Sequence, residues 1–164
     1  MPVPRKWVSQ SIALFIILGV FLLLLIGAVR HPFSSLHLNI YHAEKYEETL
    51  LYSQKVTDGE LISLSYIHSS DGTPVEQIFA VSESGTLDLL EEKYLWYGAG
   101  LEFSSEQNIT YKDGWACITG YDRAFDILPI RVASTVPQTL TIGSNEIYLA
   151  DLAPAGSRLL VKIE

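Results

Sequence analysis

Cysteine is nearly absent: Cys117 is the only one in 164 residues. That excludes a disulfide within the chain and any multi-thiolate metal centre. Basic charge is scarce too, with 11 Lys and Arg against 19 Asp and Glu and a net charge of -8. Nucleic acid is excluded as a partner, because neutralising phosphate needs clustered Lys and Arg. Metal-binding spacings such as H-x-H and H-E-x-x-H are missing, and so is the hydrolase pattern G-x-S-x-G. His37 and His42 are five apart, which in a strand points them to opposite faces. Neither a metal site nor a cofactor is expected. Internal repeats and low-complexity tracts are absent, and the length suits one domain rather than two.

What the chain does have is one long apolar run. Ile12–Val29 is 18 residues without a charge, which as a helix spans about 27 Å. Val8–Ser11 extends it to the full hydrocarbon thickness of a bilayer. Arg5 and Lys6 precede the run, Arg30 follows it, and no acidic residue comes before it. This asymmetry favours a cytoplasmic N-terminus, with Trp7 as an interfacial anchor. A cleaved signal peptide is the competing reading, but the run exceeds the usual h-region and IGAVRHP lacks a clean A-x-A site. The expectation is an uncleaved signal anchor in the cytoplasmic membrane, with the bilayer as partner through Ile12–Val29 and the rest outside the cytoplasm. The boundaries read as 1–30 for the tip and anchor, 31–35 for a linker and 36–164 for an extracytoplasmic domain. That outer segment holds 8 basic and 19 acidic residues, a net -11, which repels anionic headgroups and aids solubility.

Beyond the anchor the apolar pattern alternates, with turn signals every eight to twelve residues. The expected fold is all-β, a β-sandwich with a small closed barrel as the alternative, preceded by one transmembrane helix. Three hairpins can be written in register. A turn at Asp71-Gly72 sets Ile62 opposite Val81, Leu64 opposite Phe79, Tyr66 opposite Gln77 and His68 opposite Val75. A turn at Asp113-Gly114 sets Tyr111 against Ala116 and Ile109 against Ile118. A turn at Gly143-Ser144 sets Leu140 against Ile147. Further strands are expected at Leu36–Tyr41, Thr49–Val56, Thr86–Glu92, Ile127–Ser134 and Arg158–Ile163, about ten in all. Pro129 marks its strand as an edge or a bulge.

Reactive constellations are few. His68 lies beside Ser69 and Ser70 with Glu76 nearby, but the register puts His68 and Glu76 on opposite faces, which disfavours a triad. Cys117 has no local histidine and reads as a buried structural thiol. Tyr94–Leu101 combines three aromatic rings with Gly98 and Gly100, and reads either as a ligand or protein contact or as a bulged strand over the core. Asp122–Arg131 offers surface ion pairs, or an arginine clamp for a carboxylate through Arg123 or Arg131. Asn108-Ile109-Thr110 matches the N-glycosylation acceptor pattern.

Several of these pieces occur together: Tyr66-Ile67-His68-Ser69, Thr73-Pro74-Val75-Glu76 with Phe79, Tyr97-Gly98-Ala99-Gly100-Leu101, and Ile130-Arg131-Val132. In this order they resemble the domain-of-unknown-function family eighteen-fifty of bacteria and archaea, over roughly Leu61 to Ile163. The chain departs from the pattern at Ser134 to Gln138, where a basic or His-containing turn would be expected. The resemblance implies a small protein with one N-terminal apolar segment, encoded near TRAP-type transporters of the TAXI class. It carries no catalytic role. The function expected is that of a non-catalytic accessory of TRAP-type solute uptake, with the transporter membrane subunit or its solute-binding protein as partner. The contact candidates are His68, Glu76, Tyr97, Gly98, Gly100 and Arg131. An envelope module that binds or senses a small molecule is the alternative, and an envelope hydrolase comes third.

Overall fold

Short stretches of alternating apolar and polar residues follow one another from Leu36 onward, and nearly all become strands. The computed structural model describes residues 35–68, 72–95 and 107–164. In chain order they form β1 (Leu36–Glu44), β2 (Glu47–Val56), β3 (Leu61–Ile67), β4 (Pro74–Val81), β5 (Leu87–Tyr94), β6 (Asn108–Lys112) and β7 (Trp115–Thr119). Then come β8 (Ala124–Phe125), β9 (Leu128–Arg131), β10 (Gln138–Ile142), β11 (Asn145–Tyr148), a single helical turn α1 (Leu149–Leu152) and β12 (Arg158–Ile163). Among the described residues no helix is long and apolar enough to cross a membrane. The expected anchor Ile12–Val29 lies outside them, as do residues 31–34 of the expected linker.

The strands make two open antiparallel sheets. The small sheet runs in the order β2-β1-β12-β9, and the large one β11-β10-β3-β4-β5-β7-β6, with β8 added to β5. Proline has no N–H to give a ladder, so the strand bearing Pro129 is placed at an edge, as the sequence indicated. Leu38, Ile40, Leu159 and Val161 of the small sheet and Ile62, Phe79, Leu140 and Ile142 of the large one are almost fully buried in one cluster. Burying each such side chain stabilises the fold by about 1.5–3 kcal/mol. Because both sheets are open and share this core, the arrangement is that of a sandwich rather than a closed barrel.

Two hairpins have the register the sequence indicated. Tyr111 pairs with Ala116 and Ile109 with Ile118, around Asp113 at φ 51° and Gly114 at φ 85°. A type I′ turn demands positive φ at both positions, and Asp-Gly supplies them. Leu140 pairs with Ile147.

The first hairpin differs from expectation. Ile62 pairs with Phe79, Leu64 with Gln77 and Tyr66 with Val75, a shift of two residues. The His68 N–H donates to the Thr73 carbonyl at 2.8 Å and the Gly72 N–H to the His68 carbonyl at 3.0 Å, so the backbone bonds between the two strands run out to His68 and Thr73 in this shifted register. A shift of two leaves every side chain on its own face, which is why the apolar alternation was equally satisfied by both registers.

Candidate functional site

The inner face of the large sheet can be followed row by row across the strands. One row runs Gln138, Tyr66, Val75, Tyr94, Ala116, Tyr111. The next runs Leu140, Leu64, Gln77, Glu92, Ile118, Ile109. Two polar side chains, Gln77 and Glu92, thus stand in the middle of a row that is otherwise apolar.

A β-bulge puts Glu92 there. Ile78 pairs with Glu91 but Phe79 pairs with Leu89, leaving Leu90 as an extra residue in β5. Leu87 and Leu89 face inward before the bulge, and Glu92 and Tyr94 face inward after it. Bulges re-aim side chains in this way and are common beside functional sites.

Glu92 is held by neutral donors. Gln77 Nε2 donates to its Oε1 at 2.5 Å, and the Tyr121 hydroxyl donates to its Oε2 at 2.6 Å. No ion pair joins Glu92 to a cation among the described residues. Val75, Tyr94 and Ile118 form a small buried cluster beside it, with Tyr66, Ile109 and Tyr121 packed against them. Tyr66 and Tyr121 also touch the main core, so this cluster is continuous with it. Burial, and then the negative charge of Glu92, push the Tyr66 and Tyr94 hydroxyls up in pKa. For Tyr121 the causes are burial and then its hydrogen bond to Glu92. All three phenols therefore stay protonated at neutral pH, ringing a half-buried carboxylate with neutral oxygens.

The residues singled out in the sequence do not share one face. His68 directly follows β3, and its backbone N–H is bonded to the Thr73 carbonyl. Glu76 is on the outer face, where it takes a hydrogen bond from Lys93 Nζ at 3.0 Å; Lys93 also approaches Glu91 at 3.9 Å. Arg131 points outward from β9 and donates from Nη1 to the Gly156 carbonyl at 2.8 Å, with Arg158 as its cross-strand neighbour. Tyr97, Gly98 and Gly100 lie outside the described residues.

Cys117 is buried on the outer-facing row between Lys93 and Thr110. Burial first and the charge of Glu91 second push its thiol up, the reverse of what a nucleophile needs. His37 Nδ1 is 2.9 Å from the Ser35 carbonyl, and His42 is 3.8 Å from Glu44. Among the described residues no three His, Cys, Asp or Glu are grouped to hold a metal.

A groove of about 550 Å³ lies elsewhere, on the outer face of the small sheet. Leu160 and Pro129 line it together with Glu44, Lys45 and Glu47 of the β1–β2 turn and with Arg158.

The sequence reading passed over Gln77 and Glu92. Their signal was available as two polar residues amid apolar strands, but the bulge hid which way Glu92 points.

These features define an all-β module with a half-buried tyrosine–carboxylate cluster on the inner face of its larger sheet. Residues 62–149 match the family described as Domain of unknown function (DUF1850). The match covers more than half of the chain, and the chain belongs to that family. It ends at Leu149, so β12 falls outside it, short of the Ile163 limit suggested by the motifs. No curated protein and no solved structure matches the chain.

Proposed function

We propose that the chain is a non-catalytic contact module, anchored in the cytoplasmic membrane by Ile12–Val29 with its β-sandwich outside, and that it serves as an accessory of TRAP-type solute uptake. The partner is the transporter membrane subunit or the solute-binding protein. One observation carries the non-catalytic part of this reading. The most distinctive polar group in the described fold, Glu92, is surrounded by neutral hydrogen-bond donors and phenols rather than by a nucleophile and its base. Such a site holds a ligand without transforming it. The outer-face groove beside Leu160 and Pro129 offers room for a protein contact. The link to TRAP uptake rests on the gene neighbourhood that the family resemblance implies.

Affinity purification of the tagged full-length protein from detergent-solubilised membranes is expected to recover a TRAP membrane subunit or its solute-binding protein. Repeated recovery of neither defeats the accessory role. The alternative, an envelope module that binds a small molecule, is favoured by the same tyrosine–carboxylate cluster and makes no demand on a transporter.

A further inference from the structure

Inner-face positions of a sandwich are apolar because burying an uncompensated charge is costly. Glu92 breaks that rule, and three features bear on why. The bulge at Leu90 turns Glu92 inward, whereas unbroken alternation from Leu87 and Leu89 would have faced it outward. Gln77 and Tyr121 satisfy hydrogen-bonding capacity at Glu92 without cancelling its charge. Gln77, Glu92, Tyr66 and Tyr121 are only partly buried, so solvent reaches the cluster.

The chemistry around Glu92 is that of acceptors. The carboxylate accepts only. Gln77 gives its amide N–H to Glu92, which leaves its side-chain carbonyl oxygen as an acceptor. Three phenol oxygens, on Tyr66, Tyr94 and Tyr121, complete the set, with Val75 and Ile118 as apolar neighbours. One carboxylate with neutral oxygens falls short of what a hard divalent cation takes. It does suit a group with several N–H donors and a single positive charge. The net -11 of the segment beyond the anchor also favours cations over anions.

We propose that Glu92, Gln77, Tyr66, Tyr94 and Tyr121 form a binding site for a primary ammonium group carried on a short apolar tail. The ammonium donates to Glu92 and to the neighbouring neutral oxygens, and the tail rests against the partly exposed side chains of Tyr66, Ile109 and Tyr121, which cover buried Val75 and Ile118. This site deepens the contact-module reading and rests on it.

The test uses the full-length chain in detergent, with thermal unfolding measured against n-butylammonium chloride, tetramethylammonium chloride and sodium butyrate at equal ionic strength. The first salt is expected to raise Tm in a saturable way and the other two to leave it in place, because a ligand that binds only the native state stabilises it. An equal rise with tetramethylammonium, which has no N–H to donate, overturns the proposal, as does an equal rise with butyrate or no rise at all. Glu92→Gln keeps the shape and removes the charge, and is expected to weaken n-butylammonium binding about tenfold or more. Tyr121→Phe serves as the second variant should Glu92→Gln fold poorly, and is expected to weaken binding severalfold. Glu146→Gln, on edge strand β11, leaves binding unchanged. A shift that survives both cluster variants overturns the site. Recovery of transporter subunits by a chain with no n-butylammonium response refutes the ammonium site alone. A saturable response without any transporter subunit upholds the site and refutes only the accessory role.

Discussion

The two sheets share a core but are put together differently. In the small sheet the central strands turn Leu38 and Ile40, and Leu159, Val161 and Ile163, inward without a polar interruption. Its polar anomaly is on the outside, where buried Asn39 and half-buried Tyr41 both donate to Glu164 Oε2 at 2.7 Å. In the large sheet the anomaly is inside, at Gln77 and Glu92. The family match follows the same division, taking in the large sheet from Ile62 onward but only β9 of the small one. The two sheets therefore differ in where they carry their polar exceptions, the small one on its outer face and the large one on its inner face.

The strongest challenge to that division is to ask whether the two sheets unfold as one. Phe79 is buried in the large sheet and meets Phe125 edge-on, with centroids 5.9 Å apart. Phe79→Ala is expected to cost about 3–5 kcal/mol, and Leu159→Ala in the small sheet about 2–5 kcal/mol. Denaturant unfolding of the full-length chain in detergent, followed by tryptophan fluorescence, should show a single transition shifted by either variant. Two separable transitions, each sensitive to one variant, would mean that the sheets stand alone and that no common core joins them.

Smaller in effect, but sharper as a contrast, is a pair of leucine substitutions at the two polar anomalies. Glu92→Leu leaves the Tyr121 hydroxyl and the Gln77 amide without their acceptor, and should cost about 1–3 kcal/mol. Asn39 is 8% exposed, and its Oδ1 has no hydrogen-bond partner in the structure. Asn39→Leu removes that unsatisfied oxygen, while Tyr41 keeps its bond to Glu164. Its expected effect is within about 1 kcal/mol of zero. Equal losses at the two positions, measured by the same unfolding curves, would erase the distinction between a polar group placed for a purpose and one merely tolerated.

How much of this was legible in the sequence depends on how each feature is encoded. Asp113-Gly114 fixes both the length and the handedness of its turn, so the β6–β7 register followed from two residues. Pro129 announced its edge position by lacking a donor. Asp71-Gly72 looked equally informative, but β3 and β4 pair two residues away from the register it suggests, and a period-two pattern cannot sense a slip of two. The Glu92 cluster was hidden for a related reason. Alternation counted from Leu87 and Leu89 points Glu91 and Lys93 inward, and only the extra residue at Leu90 reverses this. A bulge depends on how two strands pair, and neither strand shows it alone. His68, Glu76 and Arg131 were grouped as contact candidates because their motifs occur in order, and order along a chain says nothing about which face a strand presents.

The smallest effect expected is in the pH dependence, and it separates the sheets once more. Hydrogen bonds from Tyr41 and then Asn39 hold the Glu164 carboxyl below its ordinary value of 4.5. A lowered folded-state pKa contributes stability that is complete above the unfolded value and is lost as pH falls through the folded one. The same bond, with Glu164 as acceptor, raises the Tyr41 hydroxyl above its ordinary 10.0. That contribution is complete below pH 10.0 and is lost as pH rises through the folded value. Both contributions are small, under about 1 kcal/mol, because Glu164 is exposed to solvent. Tyr41→Phe should therefore flatten the acid limb of the stability profile between pH 5 and pH 3, as the Tyr41 bond no longer favours the ionised carboxylate. It should leave most of the alkaline limb, because Tyr66, Tyr94 and Tyr121 of the large sheet are also raised, with burial as the first cause. Urea midpoints measured for the two chains between pH 5 and pH 3 and again above pH 10 give the comparison directly. Loss of the alkaline limb along with the acid one would place the dominant tyrosine in the small sheet and contradict the location of the buried phenols.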